Sequence, residues 1–273
     1  NVETHNQNDT PREDYDFTFA VESDTQYYNE DYDGNTDQSN DGQYQHQMNI
    51  HNWLLGNRQR MNIQYLFHDG DIIDDEPNIQ EWEQADAAYK KLDVAKFPYG
   101  VLAGNHDVGH LNGDYSNYTQ YFGENRYLSN PWYGGSYKNN RGHYDLISVD
   151  GIDFIMLYMG WGIGDEEIQW MNDVLAQYPE RKAILNFHEY LLASGGLGEE
   201  PQRIYDEVVS KNENVCMVLS GHYHNAKTRI DTFTNADGST RKVYNMLFDY
   251  QGLMEGGAGY IRLMHFDVEG QRM

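Results

Sequence analysis

The chain has 273 residues, with 44 acidic and 19 basic side chains, and a formal net charge of −25 at pH 7. That charge repels polyanions, so no nucleic-acid partner is expected, and no apolar run approaches the roughly 20 residues a membrane span needs. A single cysteine, Cys216, excludes an internal disulfide framework and a Cys-rich zinc site, while 23 Tyr, 10 Phe and 5 Trp supply the buried area that disordered chains lack.

Residues 1–15 are polar and aperiodic and read as a tail or linker before one domain over 16–273. A chain that opens on Asn1 without a signal peptide reads as a processed piece of something longer. Strong acidity with almost no cysteine suits an extracellular or cell-surface protein, and equally a cytosolic one. Phe17–Glu22 is the first strand candidate, and 23–41, rich in Asp, Asn, Tyr and Gly, reads mainly as a solvated loop. Met48, Ile50, Trp53, Leu54 and Leu55 share one helical face within 45–59. Ile63–Phe67 is the second strand, Ile79–Leu92 the clearest amphipathic helix and Tyr99–Leu102 the third strand. Tyr144–Val149 and Asp153–Tyr158 pair around Asp150-Gly151, a hairpin dipeptide. Glu166–Ala176 and Ile204–Val209 read as helices, and Ala183–Phe187 and Val215–Leu219 as strands. Lys227–Phe233, Lys242–Phe248 and Tyr260–Phe266 read as closing antiparallel strands, the first two turning at Asp237-Gly238. The pattern predicts two mixed β-sheets packed face to face with helices outside.

Short polar clusters follow the predicted strands, where α/β folds place their sites. Asp24 and Gln26 follow the first. Asp71 and Asp74 follow the second, in HDGDIIDD. Asn105 and His106 follow the third, in AGNHD. His188 follows Ala183–Phe187, and His222 and His224 follow Val215–Leu219, in SGHYH. Imidazoles with carboxylate and amide oxygens suit Mn, Fe, Zn or Mg rather than a soft thiolate site. So many donors exceed one tetrahedral ion and suit two divalent ions sharing a carboxylate, a clamp for displacement at phosphorus.

The ordered set Asp-x-Gln, Gly-Asp-x-x-Asp, Gly-Asn-His-Asp, His and Gly-His-x-His resembles the calcineurin-like metallophosphoesterase superfamily over roughly 17–268. The SDTQYY opening and the FDYQG ending resemble a subgroup of large secreted bacterial phosphoesterases. The resemblance implies a four-layer α/β/β/α sandwich. It also implies one metal held by Asp24, Gln26, Asp71 and His224, and a second by Asp71, Asn105, His188 and His222, with Asp71 bridging. His106 is implied as general acid toward the leaving group, oriented by Asp74. The implied reaction is hydrolysis of a phosphate mono- or diester by a metal-bridging hydroxide, on a small or surface-displayed phosphoester. The departure is Gln26, where the common form has His. An amide oxygen is a harder and weaker donor, which shifts preference toward Mn, Mg or Ca. It also motivates an alternative, a catalytically weak or inactive metal-containing binding module of the same fold. A further alternative is one structural metal such as Ca²⁺.

The 116–141 stretch carries Tyr118, Tyr121, Phe122, Tyr127, Trp132, Tyr133 and Tyr137 with Arg126 and Arg141. Arg126, Tyr133 and Arg141 are the substrate-contact candidates, because such loops stack rings and hold phosphate. The same rings also suit plain packing of a loop without secondary structure.

Overall fold

The computed structural model describes residues 10–30 and 43–273. The first nine residues of the expected tail and most of the solvated loop at 31–42 lie outside the described residues. Of the remaining tail, Arg12–Asp14 make a 3₁₀ turn, and Tyr15 is buried with its ring stacked on His265.

The strands are β1 Phe17–Glu22, β2 Ile63–His68, β3 Tyr99–Val101, β4 Tyr133–Tyr137, β5 Gly142–Val149 and β6 Ile152–Met159. They continue with β7 Lys182–Phe187, β8 Val215–Ser220, β9 Ala226–Thr234, β10 Thr240–Phe248 and β11 Arg262–Phe266. The helices are α1 Gln26–Asn29, α2 Tyr44–Asn57, α3 Ile79–Val94, α4 Ser116–Phe122, α5 Asp165–Gln177 and α6 Glu199–Ile204. A π turn over Tyr205–Val209 extends α6, so the helix expected at 204–209 starts earlier.

One sheet has the order β11-β1-β2-β3, and the other β4-β5-β6-β7-β8-β10-β9. Both are mixed. β1, β2 and β3 run parallel with β11 antiparallel, while β6, β7, β8 and β10 run parallel with antiparallel strands outside them. The predicted hairpins at Asp150-Gly151 and Asp237-Gly238 form. Asp150 and Gly151 both take positive φ, as the tight two-residue turn between Val149 and Ile152 requires. The last predicted strand does not join that closing hairpin. β11 crosses to the first sheet and pairs with β1, Phe17 opposite Phe266.

Alternation along β1 sets the layers. Phe17, Phe19 and Val21 point into the core between the sheets with Tyr65, Phe67, Phe154, Met156 and Leu219. Ala20 points the other way, toward a second core with Trp82, Ala85, Tyr89 and Leu92 of α3. Those four are the stripe that made α3 readable as a helix, and the Asn78 side chain caps it by accepting from the Gln80 N–H at 3.1 Å. A third core lies under α5 and α6 on the outer face of the second sheet. The result is the expected α/β/β/α sandwich.

Glu22, the last residue of β1, also faces the helices. Its Oε1 accepts from Tyr89 Oη at 2.6 Å and His51 Nε2 at 2.9 Å, and its Oε2 accepts from Gln47 Nε2 at 3.1 Å. Burial alone would raise the Glu22 pKa, but His51 and these donors hold it below the usual value. This buried network fixes the end of β1 against α2 and α3 two residues before Asp24.

Candidate metal centre

The parallel strands deliver their polar clusters to one end of the sandwich. Asp24, Asp71 and His222 all sit in left-handed backbone, at φ 54°, 53° and 70°. Such geometry costs about 1–2 kcal/mol for a residue with a Cβ, so the surroundings must hold it. The loops do so by bonding one another. Asp24 N–H donates to Gly70 O at 2.9 Å, and Gly221 N–H to His188 O at 3.0 Å. His222 N–H donates to the Asp24 carboxylate at 3.0 and 3.1 Å, and His106 N–H to Asp71 Oδ1 at 2.9 Å. Two glycines are dictated by this crowding. A Cβ on Gly104 would overlap Asp71 Oδ1, and one on Gly221 would overlap Asp24 Oδ2. Asp107 locks the loops further, with Oδ1 accepting from Ile72 and Ile73 N–H and Oδ2 from Gly104 N–H.

His188 is the hub. Its Nδ1 faces the Asp69 carbonyl at 2.8 Å, an acceptor, so Nδ1 carries a proton. Its Nε2 then lies 3.0 Å from Asn105 Oδ1, 3.2 Å from Asp71 Oδ2 and 3.1 Å from His222 Nδ1. The other end of the Asn105 amide contacts His110 Nδ1 at 3.0 Å, which turns Oδ1 inward. Four electron-rich atoms thus converge, and something positive must sit among them. A proton on His188 Nε2 satisfies them: burial opposes it, but Asp71 raises the His188 pKa to about 10. The same donor atoms suit a divalent cation, and a histidine donating its far N–H to a carbonyl is the usual support of a metal ligand. Burial together with His188 pushes His222 down to about 4, which leaves it neutral and free to ligate.

A scan of conserved sequence patterns matches residues 17–226 to the calcineurin-like phosphoesterase model. The chain belongs to this family.

As a calcineurin-like phosphoesterase it is 52% identical to the YvnB protein of Bacillus subtilis over 253 residues, 92% of this chain. It is 26% identical over 176 residues, 59% of this chain, to an Arcobacter nitrofigilis protein named "probable glycerophosphodiester phosphodiesterase GpdQ". The chain spans 19% of the first relative and 56% of the second. A dimetal phosphatase from Danio rerio shares the fold at TM-score 0.59 and 15% identity, covering 93% of this chain and 94% of that one. A purple acid phosphatase from yellow lupin does so at TM-score 0.53 and 17% identity, covering 92% and 45%.

Not every expected residue reaches the hub. Among the described residues, Asp71, His188 and His222 bring one donor atom each within 4.8 Å of one another. Asp24 stands beside them on the His222 N–H, and burial with the charge of Asp249 holds its pKa well above the ordinary range. Gln26 is buried, with Nε2 3.4 Å from Asp71 Oδ2 and Oε1 without a partner. His224 is exposed, its ring against Gly252. His106 Nδ1 contacts both the carbonyl of Asp74, at 2.8 Å, and its carboxylate, at 3.1 Å. Burial opposes protonation of His106, but Asp74 and Asp71 raise its pKa to about 9.

The three substrate candidates are all engaged by neighbours within the protein. Arg126 is bound by Asp86 at 2.7 Å and Asp93 at 2.8 Å, beside Tyr99 at the end of β3 away from Asn105. Tyr133 stacks on Tyr127 and His143 and donates to Asn140 at 2.5 Å. Both are packing residues of the 116–141 stretch, which folds into α4 and β4 rather than an open loop. Arg141 lies nearer the centre but is held by Gly162 O at 2.8 Å and stacked on Tyr115. Sequence reading missed Trp161, whose ring centroid is 5.8 Å from that of His188 and 5.5 Å from that of His222. It walls the centre from a loop that carries no polar signature. Asp249 and Gln251, inside the noted FDYQG ending, were also not assigned to the site.

Proposed function

We propose that this domain hydrolyses small phosphoesters at a two-metal centre built from Asp24, Gln26, Asp71, Asn105, His188, His222 and His224. The observation that carries this reading is the convergence of Asp71, Asn105 and His222 on His188 Nε2. Divalent cations bound there would activate water and neutralise charge on the phosphate oxygens. The protein's own residues would do the rest. Asp71 would be shared between the two positions, and its Oδ1 is already fixed by the His106 N–H. His106, held at Nδ1 by Asp74, would present Nε2 to the departing oxygen and supply its proton, and its raised pKa keeps the ring protonated at neutral pH. Trp161 would exclude water from one side.

The name of the Arcobacter relative supports testing diesters beside monoesters, and the likeness of the SDTQYY and FDYQG stretches to large secreted bacterial phosphoesterases supports an extracellular or surface location. The test is hydrolysis of p-nitrophenyl phosphate and bis(p-nitrophenyl) phosphate by metal-free protein supplemented with Mn²⁺, Fe²⁺, Zn²⁺, Mg²⁺ or Ca²⁺. Turnover with at least one metal is expected. No turnover above buffer with any of them would favour a binding module instead.

A further inference from the structure

The turn after β10 lies against the first metal position. Asp249 N–H donates to Asn225 O at 2.9 Å, tying this turn to the loop of His222 and His224. Gly252 abuts the His224 ring, since a Cβ there would lie 3.3 Å from His224 Cβ and 3.5 Å from Nδ1. Inside the turn, Gln251 Nε2 donates to Asp24 Oδ1 at 3.2 Å and to Asp249 Oδ2 at 3.1 Å. Asp24, Asp249 and Gln251 are 1%, 2% and 5% exposed. Two buried carboxylates therefore share one amide. Their other donors, Ser23 Oγ and the N–H groups of His222 and Gln251, carry no charge.

Buried like charges repel unless a cation compensates them. A second, independent sign points the same way. Gln26 Oε1 and Gln251 Oε1 are both buried without a hydrogen-bond partner, the Gln26 amide lying against Asp71 and the Gln251 amide against Asp24 and Asp249. Carboxylates with unpaired amide oxygens are the donor chemistry of a hard divalent cation.

We infer that Asp249 is a positioning residue of the metal centre, adding a third negative charge to the Asp24–Gln26 position through the Gln251 amide and biasing it toward Mn²⁺ over Zn²⁺. The inference rests on the two-metal reading above. It accounts for Gln26: the charge that strengthens this position comes from a carboxylate behind Asp24, so the weaker amide donor suffices.

The test compares wild type, Asp249→Asn and Asp249→Glu. Mn²⁺ and Zn²⁺ binding is measured by calorimetric titration and by metal content after dialysis. Melting is followed with and without Mn²⁺. Wild type should hold two Mn²⁺ per chain. Asp249→Asn should keep one at unchanged affinity and weaken the other about 10–100-fold, with a smaller loss for Zn²⁺, while Asp249→Glu keeps both. Metal-free Asp249→Asn should melt at or above wild type, because a repulsive charge is gone. Two Mn²⁺ bound by Asp249→Asn as tightly as by wild type would overturn the inference and leave the two-metal reading standing. So would an equal loss for Mn²⁺ and Zn²⁺, or a lower metal-free melting point with an unchanged gain from Mn²⁺. Wild type that binds fewer than two ions would overturn both.

Discussion

His68 Nε2 donates to Thr25 Oγ1 at 2.8 Å, because the Gly70 N–H already occupies its Nδ1 at 3.1 Å. One buried imidazole thereby clamps the loop of Asp24 and Gln26 to the loop of Asp71. Burial lowers the His68 pKa to about 4 against the pull of Glu22, so the ring stays neutral and its tautomer fixed at physiological pH.

Replacing His68 by Phe keeps an aromatic ring and removes the clamp. Thr25 Oγ1 and Gly70 N–H lose their partner, at about 1–3 kcal/mol for each buried polar group left unmade. The expected outcome is a lower melting temperature together with at least tenfold weaker Mn²⁺ binding, read by thermal melting and titration. Unchanged metal affinity in a folded His68→Phe protein would show that the strand ends alone position the two loops.

The role assigned to His106 makes a prediction that discriminates between substrates. An alkyl leaving group needs a proton, whereas a nitrophenolate leaves without one. His106→Ala should therefore lose ~10²–10⁴-fold in kcat/KM on an alkyl phosphoester, the usual worth of a general acid, and clearly less on a nitrophenyl ester. Asp74→Asn should lose in the same direction but less, since the Asp74 carbonyl still holds Nδ1. Equal losses on both esters would move His106 from proton donor to substrate binder.

Much of the fold and of the centre is legible in the sequence. The strands that deliver the centre are apolar runs ending in polar clusters, and a parallel strand ending in the interior announces its site in that way. Asp71, Asn105, His188 and His222 accordingly meet at one point, with Asp24 beside them on the His222 N–H. What was hidden depends on tertiary pairing. Tyr127, Tyr133 and His143 stack on one another across a turn, and nothing local distinguishes that from rings awaiting a substrate. Arg126 looked free because its partners, Asp86 and Asp93, sit more than thirty positions earlier on α3. β11 read as the last member of a closing meander, and only pairing with β1 shows that it crosses to the other sheet. Asp249 also follows a strand, but its meaning came from Asp24, 225 positions away in sequence and one amide away in space.

Removing metal should expose the charge imbalance of the centre. Exhaustive chelation is expected to abolish hydrolysis and to lower the melting temperature, since ions bound only by the folded chain stabilise it by mass action. Adding back Mn²⁺ should restore both. His188→Ala, which deletes the atom on which Asp71, Asn105 and His222 converge, should lose the melting gain from Mn²⁺ even if the apoprotein stays folded. A full gain in that variant would place the stabilising ion elsewhere.

Asp145 on β5 offers a pH test away from the metal centre. Its carboxylate is buried between the sheets, where Tyr65 donates to it and Tyr158 donates in turn to Tyr65 Oη at 3.0 Å. Burial raises its pKa to about 8 against the opposing Tyr65 bond, whereas an unfolded aspartate titrates near about 4. The folded state therefore prefers the protonated form. Its contribution to stability is complete below about pH 4 and is lost as pH rises through about 8, at up to roughly 1.4 kcal/mol per pH unit in between. Asp145→Asn keeps an acceptor for Tyr65 and has no proton to lose. Urea unfolding of the two metal-free proteins from pH 5 to 8 should show the variant gaining on wild type with each unit of pH. A difference that stays flat across that range would mean that Asp145 is ionised in the folded protein and is charge-compensated by its surroundings.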